Sequence, residues 1–132
     1  LVSLGQQENK IKMLPAIQLL ADMKFNLFAT EHTADFLQAH GITCEKVYKI
    51  SHKKSPNVSE LLEDKALDLI INIPTHAFGG ESTDGFIIRR KAVDMNIPLI
   101  TNRQLAEAFI VALAEQKGNG LKTKSWDEYR ST

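Results

Sequence analysis

Short apolar runs alternate with longer amphipathic segments along the chain, which predicts strands alternating with helices. Val2-Ser3-Leu4, ending at Gly5, reads as a first strand. Residues 10–23 carry Ile11, Leu14, Ile17, Leu19, Leu20 and Met23 at helical spacing, with Pro15 tolerable only near the first turn or at a kink. Residues 25–29 alternate and stop at polar residues, as a second strand does. Residues 33–40 read as a short helix with Phe36 and Leu37 inward, closed by Gly41. Residues 46–50 read as a third, more exposed strand. Asn57 stands where it can cap a helix over residues 58–64, with Glu60 in the first turn to suit the helix dipole. Residues 67–73 form the most apolar run and the best candidate for a central parallel strand. A helix over residues 84–95 carries Phe86, Ile87, Ala92 and Val93. A fifth strand covers residues 98–100. A last helix over residues 105–116 is built on Leu105, Ala108, Phe109, Ala112 and Leu113.

This order predicts an α/β fold, a parallel sheet with helices on both faces. Ligands in such sheets bind outside the carboxyl ends of the strands. That rule selects residues 5–12, 30–33, 49–54, 72–83 and 101–103, and each stretch is polar.

Composition narrows the function classes. The 132 residues make one domain over the whole chain, with a polar tail from about 122 in which Trp126 and Tyr129 are the exceptions. Lys+Arg and Asp+Glu are 16 each, so nothing global points to nucleic acid or to an anionic membrane. Any electropositive site must be a local cluster. The single cysteine, Cys44, excludes an internal disulfide and a cysteine-based zinc site, and fits a reducing compartment. No apolar run approaches the ~18 residues of a membrane span. The chain begins at Leu1 and not at Met, so a piece of a longer protein is expected.

No two of His32, His40, His52 and His76 stand at metal-ligand spacing, so neither a metal nor another cofactor is expected. There is no dinucleotide-binding glycine fingerprint, no Walker phosphate loop and no nucleophile elbow. Gly79-Gly80-Glu81 suits a flexible loop better than a phosphate loop. Thr30 and Thr33 stand where the second strand turns into a helix. Two hydroxyls beside free N–H groups at a helix start form an anion cradle; helix capping is the equally plain alternative. Lys10 and Lys49, at two neighbouring strand ends, bring charge to the same crevice. Asn72 ends the buried strand, where its amide suits a ribose, a base edge or a carboxylate, or ties the next loop. Arg89 and Arg90 are adjacent on a helix and face different directions.

Four segments carry a resemblance: Phe28-Ala29-Thr30-Glu31-His32-Thr33-Ala34, Ile70-Ile71-Asn72, Ile87-Ile88-Arg89-Arg90 and Ile97-Pro98-Leu99-Ile100-Thr101-Asn102. In this order they resemble the methylglyoxal-synthase-like domain. The version most similar stands at the carboxyl end of the carbamoyl-phosphate synthetase large subunit. The resemblance implies a Rossmann-like five-stranded parallel sheet in three α/β/α layers. It also implies an allosteric domain that binds an anionic effector, UMP or IMP in some members and N-acetylglutamate in others. The remainder of the large subunit, an ATP-dependent ligase serving pyrimidine or arginine synthesis, would be its partner. The location would be the cytoplasm, or the mitochondrial matrix for a urea-cycle type.

Carried over by residue, Thr30 and Thr33 match the threonines that hold phosphate or carboxylate. Lys10 matches a phosphate-binding lysine, with Lys12 a rival one turn away. Lys49 matches a second one, where acetylglutamate-regulated members place tryptophan, so a phosphate ligand is favoured. Asn72 matches the asparagine at the end of the central strand. His32, Thr75, Arg89 and Arg90 are further candidates for the effector site. The loop over residues 75–84 matches no familiar version. The enzyme of the family, methylglyoxal synthase, carries its catalytic aspartate in a Gly-Gly-Asp segment before the third helix. Ser51-His52-Lys53-Lys54-Ser55-Pro56 stands there instead, without a carboxylate. The chain by itself is therefore expected to be non-catalytic. A free-standing methylglyoxal synthase and an interaction module with a vestigial crevice are the alternatives.

Overall fold

The computed structural model describes residues 1–49, 53–74 and 83–119. In chain order the elements are β1 (Val2–Leu4), α1 (Gln7–Asp22), β2 (Phe28–Thr30), α2 (Glu31–Ala39), β3 (Glu45–Val47), α3 (Val58–Glu63), β4 (Ile70–Ile73), α4 (Thr83–Asp94), β5 (Leu99–Ile100) and α5 (Arg103–Asn119). Trp126, Tyr129, Thr75, His52, His76 and the glycines at 79 and 80 lie outside the described residues.

The five strands form one parallel sheet in the order β3-β2-β1-β4-β5. The chain builds outward from β1 to β3, then returns to lay β4 on the other side of β1. Right-handed crossovers then place α1 and α2 on one face and α3 and α4 on the other, and α5 returns to the face of α1 and α2. Two hydrophobic clusters reflect this. Met13, Ile17 and Leu20 of α1, Leu37 of α2 and Ile110 of α5 pack with Val2, Leu4, Ala29, Ile71 and Ile73. On the other face Val58 and Leu62 of α3 and Ile88 and Ala92 of α4 pack with Leu1, Val47 and Ile70. All four residues of β4 are buried, as a central parallel strand covered on both faces requires.

Local chemistry fixes the element starts. The Asn57 side chain accepts from the Glu60 amide at 2.9 Å and donates back to the Glu60 carboxylate at 3.0 Å, a reciprocal cap on α3. Gly41, at φ 80°, takes the left-handed conformation that closes α2.

Four expectations need correction. Pro15 lies in the interior of the sixteen-residue α1 and not in its first turn. It is exposed there, so the carbonyl it leaves unpaired is open to water. The inward face expected of the last helix is only partly right: Leu113 packs against the core, but Leu105 and Phe109 are exposed, and Ala106 and Ile110 are the buried residues. On α4, Ala92 packs inward as expected, with Ile88 beside it, whereas Phe86 and Val93 are exposed. The third strand is also displaced. It ends at Val47, and Tyr48 continues it only as a bridge to Asn57, so Lys49 stands past the strand end.

Candidate functional site

Side chains alternate across the sheet, so residues two apart share a face. Val2, Leu4, Ala29, Ile71 and Ile73 point to the side of α1, α2 and α5. Ser3, Thr30 and Asn72, each in the alternate position, point to the side covered by α3 and α4. The register aligns them. Ser3 pairs with Asn72, and Val2 pairs with Ala29, which sets Ser3 beside Thr30. Three neighbouring strands thus carry one polar row, Thr30–Ser3–Asn72, at their carboxyl ends.

This row is the exception in an apolar interior. Among the described residues the buried polar side chains are Thr30, Thr33 and Asn72. Burying an unpaired polar group costs free energy, so each must be satisfied. The Thr33 hydroxyl, 1% exposed, accepts from the Leu4 amide at 3.0 Å. The Thr30 hydroxyl donates to Ser3 Oγ at 3.1 Å. Asn72 Oδ1 accepts from Arg89 Nη1 at 2.6 Å. Although Thr30 is the N-cap residue of α2, its side chain makes no capping hydrogen bond. Both threonine hydroxyls thus tie the start of α2 to β1. A helix start leaves first-turn amides without intrahelical acceptors, which suits the start of α2 to an anion.

A cleft of about 150 Å³ opens over the row, between β1 and β4, where the strand order reverses. Open α/β sheets bind ligands at this place. The cleft brings together Lys10, Thr30, Thr33, Lys49 and Asn72, with His32 at the rim. Other expected residues stand elsewhere. Lys12 pairs with Glu8 at 2.6 Å on the exposed side of α1. Arg90 is exposed and pairs with Asp94 at 3.6 Å. Arg89 does not line the cleft but stands behind Asn72; burial pushes its guanidinium below its ordinary pKa. Thr75 lies outside the described residues.

The cleft is also lined by Ser3, which the sequence did not single out, and by Glu31, which it marked only within the stretch 30–33. Ser3 had one signal, a hydroxyl interrupting an apolar strand. Glu31 is the one carboxylate lining the cleft among the described residues, in the first turn of α2. Among those residues, no group of three His, Cys, Asp or Glu side chains is placed to hold a metal ion.

Comparison with known proteins identifies the family and the fold. The family model of the MGS-like domain matches residues 12–101. The carbamoyl phosphate synthase large chain, C-terminal section, of Methanopyrus kandleri is 39% identical over 113 residues, which are 86% of this chain and 20% of that protein. The carbamoyl phosphate synthase large chain of Methanobrevibacter smithii is 36% identical over 97% of this chain and 12% of its own length. The multifunctional protein pyr-3 of Neurospora crassa is 36% identical over 89% of this chain and 7% of its own. This chain thus spans a fifth or less of each of these relatives. A crystal structure of methylglyoxal synthase from Elizabethkingia anophelis shares the fold, with a TM-score of 0.63 and 19% identity over 83% of this chain and 74% of that one.

Proposed function

The chain belongs to the MGS-like domain family, and from that premise we propose that it is the effector-binding regulatory domain of a carbamoyl phosphate synthase large chain. The observation that carries this reading is the cleft itself. The buried polar side chains of the described residues converge there, together with two lysines, at the carboxyl ends of the strands. A phosphate-bearing nucleotide such as UMP or IMP suits it. Its phosphate rests on the α2 amides, Thr30 and Thr33, between the Lys10 and Lys49 ammoniums. The rest of the ligand lies toward Asn72. The described walls enclose less than the roughly 300–1,000 Å³ of a drug-sized ligand pocket, so they hold the anionic head of a ligand and not all of it.

An effector regulates only through unequal affinity for two states of the whole enzyme. In this reading the remainder of the large chain supplies those states and the chemistry, and it serves pyrimidine or arginine synthesis in the cytoplasm. Among the described residues no helix is long and apolar enough to cross a membrane.

Calorimetric titration with UMP, IMP and N-acetylglutamate tests the assignment. One of the nucleotides should bind at micromolar to millimolar levels, and Lys49→Met should weaken it about tenfold, the effect of one charge-assisted contact. No binding by any of the three would sink the reading. So would formation of methylglyoxal from dihydroxyacetone phosphate by the purified chain, because that elimination needs a positioned base.

A further inference from the structure

Asn72 lines the cleft and Arg89 does not, yet the two are joined by a 2.6 Å hydrogen bond from Nη1 to Oδ1. A guanidinium only donates, whereas a carboxamide has an accepting oxygen on one corner and a donating nitrogen on the other. A bond to Arg89 therefore decides which corner turns which way. With Oδ1 turned to α4, Nδ2 is turned away from it. Nδ2 has no acceptor among the described residues. Asn72 is 3% exposed, so what little of it the cleft can touch matters.

We propose that Arg89 is the positioning residue of the cleft: it holds the Asn72 amide so that the floor presents a hydrogen-bond donor, which selects ligands carrying an acceptor oxygen beside their anionic head. This rests on the effector-binding reading and adds a selection rule to it. The lysines and α2 amides read charge; the oriented amide reads the uncharged remainder of the ligand. An amide free to flip would offer an acceptor as often as a donor and would lose that discrimination.

UMP and inorganic phosphate separate the two parts, the second being an anionic head with nothing attached. Arg89→Gln should weaken UMP about tenfold, the loss of one oriented hydrogen bond. It should leave phosphate affinity within about twofold. Arg89→Lys, which restores a donor, should recover most of the UMP affinity. In an Asn72→Ala background, Arg89→Gln should change nothing further, because Arg89 acts through Asn72. Equal losses for UMP and phosphate, or losses that add to Asn72→Ala, would overturn the proposal in favour of a plain electric-field effect of the guanidinium. If the unaltered chain binds neither probe, the effector reading fails. The amide orientation is then judged alone, from the Asn72 side-chain ¹⁵N–¹H₂ signals. These should be shifted from free-amide positions and move to them in Arg89→Gln. Signals unmoved by that substitution would refute the positioning role.

Discussion

Thr33 acts on the backbone of β1 before it acts on any ligand. Its hydroxyl accepts from the Leu4 amide, and nothing else among the described residues occupies that place. Thr33→Val keeps the shape and removes the acceptor, which strands a buried N–H. The expected cost is about 1–3 kcal/mol, read as a lower urea midpoint. Thr33→Ser should stay near the parent. At this scale the sequence told part of the story. Lys10, Lys49, Thr30, Thr33 and Asn72 were legible from their places after strands. Ser3 and the Arg89–Asn72 bond were not, because both depend on register and on a helix approaching from 17 residues away.

Among the elements, α3 is the most dependent on one side chain. Six residues are too few to sustain a helix by propensity, and the Asn57 cap supplies two of its hydrogen bonds. Asn57→Ala should cost about 1 kcal/mol and speed amide exchange in α3 ahead of the rest of the chain. The order of the elements was readable because strands and helices bury apolar residues at different periods. Helix orientation was less so. Around α5 the residues Ala106, Phe109, Ile110, Val111, Ala112 and Leu113 leave almost no polar side, so periodicity offers no preferred angle. Packing against α1 decided it, placing the small Ala106 and the branched Ile110 inward. Strand ends were overread for a related reason. Apolar character continues past the point where a neighbouring strand exists to pair with, as at Tyr48 and around Leu67.

Over the whole molecule the charges cancel, 16 against 16, so net charge supplies no attraction for an anion. Among the described residues Lys10 and Lys49 supply positive charge to the cleft at close range. Charges at the surface are screened over roughly 10 Å at 0.1 M salt. On the proposed function, UMP affinity should therefore fall as salt is raised, and the Lys10→Met, Lys49→Met double variant should flatten that slope. Isothermal titrations at several salt concentrations measure both.

The polar row Thr30–Ser3–Asn72 exists only while β2, β1 and β4 keep their alignment. A slip of one residue would turn each of these side chains to the opposite layer. No local segment of the unfolded chain can imitate the row, so an occupant recognises the folded topology as a whole. Occupancy then works as a clamp on folding itself, adding about 2.7 kcal/mol at a hundred times the dissociation constant. Thermal denaturation with increasing UMP should show a melting temperature that climbs with the logarithm of concentration. If the proposed nucleotide is the occupant, the lifetime of this domain would follow the nucleotide pool.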